Sequence, residues 1–68
     1  MTTVLHSDLR ALGYCNRGSR EFFRRHGLDF GHFLRHGIEA ERLEATGDAM
    51  AQRAVDHARE RERAEGST

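Results

Sequence analysis

Five of the seven glycines, at positions 13, 27, 37, 47 and 66, fall where the chain can turn, and proline stands nowhere, which divides residues 1 to 65 into segments of 9 to 18 residues. Glycine reaches the left-handed backbone region without steric cost, so each of these positions is a place for a helix to stop and the chain to turn. β-Branched residues are few, and no segment alternates apolar and polar residues for long enough to form a half-buried strand. The expected fold is therefore all-α, a compact bundle of four or five short helices with a longer C-terminal helix. Residues 1 to 58 are expected to form the single helical domain, and 59 to 68 a charged helix end and frayed tail.

Within each segment the cap signals set the boundaries. Ser7 and Asp8 suit an N-cap and an acidic first turn, Leu9 and Leu12 share a face, and Gly13 closes that helix. Asn16 is expected to cap a second helix from about Arg17 to His26, closed by Gly27. Asp29 is expected to cap a third carrying Phe30, Phe33 and Leu34, closed by Gly37. Residues 39 to 45 allow one or two further turns, and Thr46-Gly47-Asp48 reads as a stop followed by a new cap. In the last helix Met50, Ala51, Ala54, Val55 and Ala58 make a narrow small-residue stripe. The run from Arg59 to Glu65 has no apolar face, so it is expected to project into water, and loss of residues 60 to 68 to cost little helix.

The core must then come from thirteen sizeable residues: Leu9, Leu12, Tyr14, Phe22, Phe23, Leu28, Phe30, Phe33, Leu34, Ile38, Leu43, Met50 and Val55. Such a set closes a minimal core but leaves little with which to wall a deep, water-excluding pocket, which argues against an enzyme. A single cysteine, Cys15, excludes an intrachain disulfide and a cysteine-rich zinc knuckle, and a buried small thiol is its expected role. No apolar run approaches the roughly 20 residues of a membrane span, and the N-terminus lacks a basic stretch followed by an apolar one. The expected location is the cytoplasm.

Charge is distributed unevenly. All 11 basic residues are arginine and balance 11 acids, yet residues 1 to 38 hold six arginines against three acids and residues 39 to 68 hold five against eight. The chain is thus a dipole whose halves can pair with each other, stack between copies, or meet a charged partner. On the second helix, at about 100° per residue, Arg17, Arg20, Arg24 and Arg25 face away from Phe22, Phe23 and His26. These four arginines are the candidate binding residues. Their guanidinium groups suit carboxylates or phosphates, and the alternative is that Glu21 and the acidic second half neutralise them. A short helix, a turn with Gly13 and an arginine-rich second helix also outline a helix-turn-helix, which keeps nucleic acid as the rival partner.

Other chemistry has less support. His32 and His36 lie four apart on the third helix, with Cys15 and His26 as further ligands for a metal, but the spacing lacks the glutamate of a zinc-protease motif. His36 near a helix end and His26 beside Phe22 have adequate structural roles, so no metal and no cofactor is expected. No orienting group or oxyanion site accompanies Cys15, and Glu39, Glu41 and Glu44 form an acidic surface rather than an enclosed acid. The alanine-rich stripe of the last helix is flat enough to meet a second copy, which makes a homodimer one further expectation.

The segments Leu9 to Cys15, His26-Gly27-Leu28-Asp29, Gly37-Ile38 and Ala45-Thr46-Gly47-Asp48-Ala49-Met50 together resemble small uncharacterised proteins of tailed bacteriophages and prophages, over residues 9 to 55. The resemblance implies a phage accessory protein in the host cytoplasm or the virion, either a minor assembly component or an inhibitor of a host machine such as a defence complex. It carries over no catalytic or binding residue. The functional expectation is a non-enzymatic protein that binds a larger protein complex of host or phage.

Overall fold

A computed structural model of the chain describes residues 1 to 66, with Ser67 and Thr68 outside them. The order of elements is β1 (Thr3–Val4), α1 (His6–Ala11), α2 (Asn16–Arg25), α3 (Phe30–His36), β2 (Ile38–Glu39), α4 (Ala40–Glu44) and α5 (Ala49–Gly66). The fold is mostly helical, with five helices, but it is not all-α. Strands β1 and β2 pair antiparallel in the register Thr3 with Glu39 and Val4 with Ile38, extended by Ala40 N–H donating to Thr2 O at 3.0 Å. The sheet corrects the sequence expectation, and its two-residue strands are too short to leave an alternating pattern. Its effect is large for its size: Val4, absent from the expected core, is fully buried.

Of the five glycines expected to end segments, Gly13, Gly27, Gly37 and Gly47 adopt positive φ, whereas Gly66 is the last described residue of α5 and does not. Two of the anticipated caps are also in place. Asp29 accepts from His32 N–H at 3.0 Å, and Asp48 accepts from Met50 N–H at 2.7 Å and Ala51 N–H at 3.1 Å. The first two helices start one residue or more earlier than Ser7 and Asn16 suggest. Leu5 caps α1, with Asp8 accepting from its N–H at 2.8 Å, and Cys15 caps α2 with its Sγ accepting from Gly18 N–H at 3.4 Å. Asn16 instead bonds His6 across the turn at 2.8 Å.

Helix α5 is the spine of the molecule. Ala51, Ala54, Val55 and Ala58 are buried along one side of it, where small side chains let α4, α1 and β1 approach closely. Phe23 of α2 and Phe33 of α3 meet at the other end of the core with ring centroids 4.8 Å apart, flanked by Phe30. Leu34 and Met50 are 45% and 54% exposed and so do not belong to the core they were expected to join. Leu34 follows Phe33 by one residue and is turned about 100° away from it. Met50 sits in the first turn of α5, beside the buried stripe.

One buried polar cluster ties the chain's ends together. Asp8 is fully buried. Its carboxylate accepts from His57 Nδ1 at 2.7 Å, from Arg61 Nε at 3.0 Å and from the Leu5 N–H, while Arg61 also donates to Thr3 O at 2.9 Å. Burial pushes the Asp8 pKa up, but the hydrogen bonds from Arg61, Leu5 and His57 together with the Arg61 charge outweigh this and hold it below its ordinary value. Beside it, Glu62 accepts from Thr3 N–H at 3.0 Å. The helix end from Arg59 therefore does not simply project: Arg61 and Glu62 fasten β1 to α5. Truncation after Glu60 is accordingly expected to lower unfolding free energy by roughly 2–3 kcal/mol, because it leaves a buried carboxylate without its cation. Urea unfolding of the shortened chain checks this, and a change below about 0.5 kcal/mol would restore the expectation of an idle tail.

Candidate functional site

Phe23 is the one buried residue of helix α2 and fixes which way the helix rolls, which leaves its charged residues at the surface. Arg17, Arg20, Arg24 and Arg25 are all exposed, and Glu21 is the one acid among them. Glu21 pairs with Arg24 at 3.0 Å across side chains 63% and 79% exposed. The other three arginines form no ion pair among the described residues.

Where the acids of the second half go is therefore informative. Glu44 takes Arg59 at 3.0 Å, Glu60 takes Arg63 at 2.8 Å, and Glu65 takes Arg61 at 3.3 Å, while Asp48 caps α5 and Glu62 holds Thr3. Hydrogen bonding from Arg59 and Gln52 holds the Glu44 carboxyl below its ordinary pKa. None of these acids pairs with an arginine of α2, so the two halves of the dipole are not joined by ion pairs at this helix.

The four guanidinium groups are splayed rather than clustered. Arg20 lies over the Phe30 ring at 5.8 Å from its centroid and Arg25 over Phe22 at 5.9 Å, each on a partly buried ring. His26 stacks against the same Phe22 with centroids 4.5 Å apart, as its position beside that residue suggested. Arg24 turns to Glu21, and Arg17 is exposed.

Beside this face, between α2 and the first turns of α5, lies an apolar cleft of about 240 Å³. Phe23, Leu43, Ala51 and Ala54 make its floor, and Cys15, Gly18, Phe22, Arg25 and Met50 its rim. Cys15 is exposed, not buried as expected, because as the N-cap of α2 its side chain turns back toward the Gly18 amide at the surface. Met50, read from the sequence as a core residue, is exposed at the rim, and Gly18 leaves the space beside Cys15 and Phe22. The periodicity of α2 alone does not reveal it, since the second wall comes from a helix thirty residues further on.

The remaining candidates resolve as follows. The His32 and His36 rings lie 4.8 Å apart on one face of α3, and among the described residues no three His, Cys, Asp or Glu side chains gather to hold a metal. The Asp8–His57 pair has the geometry of an oriented imidazole, but the same carboxylate is engaged by Arg61, and the pair lies in the fastening of β1 to α5. Helix α1 packs chiefly on α5, and α2 on α3, rather than on each other as in a helix-turn-helix. Among the described residues no helix is long and apolar enough to cross a membrane. The chain matches no protein family, curated protein or solved structure.

Proposed function

We propose that this chain is a non-enzymatic binding protein that docks on a larger protein complex through Arg17, Arg20, Arg24 and Arg25 of α2, in the phage accessory setting that the resemblance implies. The observation that supports it is the pairing pattern: eight acids in the second half, and among the described residues no ion pair between them and these arginines. Like charges on one helix face repel by a few tenths of a kcal/mol per pair. An acidic protein surface relieves that repulsion and gains bidentate hydrogen bonds from guanidinium groups already positioned by a buried Phe23.

The test compares the tagged chain with its Arg20→Glu/Arg24→Glu variant in capture from host extract. The expected result is one protein complex retained by the former, lost from the latter, and indifferent to nuclease. Equal capture by both removes the α2 face from consideration. Capture that vanishes with nuclease, or binding that falls steeply with salt in proportion to phosphates contacted, identifies nucleic acid as the partner instead.

A further inference from the structure

We propose that the cleft between α2 and the start of α5 receives one bulky apolar side chain of a partner protein's segment, with a neighbouring carboxylate of that segment held by Arg25. The inference rests on reading the chain as a protein-binding module, and it names the anchor point and the chemistry recognised.

Size is the first argument. At about 240 Å³ the cleft falls below the roughly 300–1,000 Å³ typical of small-molecule sites, yet it would hold a single large side chain. A buried apolar anchor in such a recess, ringed by groups that exclude water, is the usual centre of a protein interface. The floor is apolar and well packed, since Phe23 and Leu43 are each 2% exposed and Ala54 1%. Met50, 54% exposed at the rim, offers a flexible thioether that adapts to what enters.

Charge complementarity selects among apolar occupants. Two charged residues line the cleft, Arg25 and Asp48. The Asp48 Oδ1 is turned onto the Met50 and Ala51 amides, so that carboxylate is engaged within the helix cap. The Arg25 guanidinium rests on the Phe22 ring and forms no ion pair among the described residues. A carboxylate beside the entering side chain meets that guanidinium at the mouth, whereas a cationic neighbour is repelled by it and by the rest of α2.

Gly18 allows a clean perturbation. A Cβ built there meets only Cys15 Sγ, at 3.5 Å, which is ordinary contact. Gly18 lines the cleft, so Gly18→Leu adds bulk at its rim from a helical position, and leucine favours helix over glycine.

The experiment titrates the ¹⁵N-labelled full chain with N-acetyl-Phe-Asp-amide and, separately, N-acetyl-Phe-Asn-amide. The expected result is saturable amide shifts centred on Gly18, Ala51 and Ala54, with the aspartyl peptide bound about threefold more tightly than the asparaginyl one. Arg25→Gln should equalise the two peptides, and Gly18→Leu should abolish the shifts while keeping the helical spectrum. Absence of localised shifts, or equal affinity for both peptides in the unmodified chain, overturns the proposal. So do concentration-dependent shifts at the same amides without peptide, which would make a second copy the occupant. Capture separates this inference from the preceding one. A complex lost by Arg20→Glu/Arg24→Glu but kept by Gly18→Leu leaves the arginine face standing and removes the cleft. Peptide binding in the cleft together with undiminished capture by the double reversal does the opposite.

Discussion

Asp8→Ala is expected to leave much of the protein unfolded at 25 °C. The substitution strips an acceptor from Arg61, His57 and the Leu5 N–H together, at a residue that is fully buried. Removing one member of such a cluster costs about 3 kcal/mol or more, while a chain this small has only about 3–10 kcal/mol to lose. Asp8→Asn, which keeps an acceptor for Leu5 but loses the charge facing Arg61, should fall between. The pH dependence follows from the direction of the pKa shift. A carboxylate whose folded pKa lies below its ordinary 3.8 adds stability that is fully present above that value and is lost as pH falls through the lowered one. Acid unfolding of the native chain should therefore steepen below about pH 4, and Asp8→Ala should flatten that limb. A variant as stable as the parent at neutral pH would show that the cluster is not what joins the chain's ends.

Gly37→Ala is expected to be nearly as damaging, for a reason confined to backbone and space. Gly37 has φ 77° and ψ −175°, a region open essentially to glycine alone. A Cβ there would lie 2.7 Å from Thr3 Cγ2, 2.8 Å from Val4 O and 2.9 Å from Leu5 Cδ2. The carbonyl belongs to β1 and cannot swing aside as a side chain can, so the strand must move. Strain and overpacking together predict a loss of roughly 3 kcal/mol. Gly27→Ala is the matched control, since its φ is 69° but nothing lies within 4 Å of the added carbon. That variant should lose only about 1–2 kcal/mol. Urea unfolding of the two variants side by side isolates the close approach of β1, and equal losses would mean that it contributes nothing.

These two residues mark the boundary of what the sequence discloses. Gly37 is legible as a helix stop, and Gly13, Gly27 and Gly47 likewise, because positive φ is a local demand with a local signature. So are the Asp29 and Asp48 caps and the alanine stripe of α5. That Gly37 also lies under β1 is not legible, since the pairing of Thr3 with Glu39 joins the N-terminus to the middle of the chain and involves strands of two residues. Arg61 is chemically the same as Arg59 and Arg63 in an alternating charged run. Only the packing of α5 against α1 decides that Arg61 turns to Asp8 while Arg63 stays 75% exposed. Cys15 was misplaced because a thiol is commonly buried, whereas here it caps a helix at the surface. For the candidate site, the helical period is enough to place four arginines on the exposed surface of α2. It could not show Arg20 and Arg25 bending over Phe30 and Phe22, or the cleft that Arg25 borders.

The claim on which the functional reading turns is that the α2 arginines are held by the fold without holding it. Urea unfolding of Arg20→Glu/Arg24→Glu, followed by circular dichroism, measures this directly. The variant loses one exposed pair with Glu21 and one exposed cation–π contact with Phe30, interactions of a few tenths to about 1 kcal/mol each. The expected result is a helical spectrum identical to the parent's and a loss of no more than about 1 kcal/mol with an unchanged urea slope. A loss of about 3 kcal/mol, or a collapse of the helical signal, would contradict it and make these arginines structural partners of the acidic half.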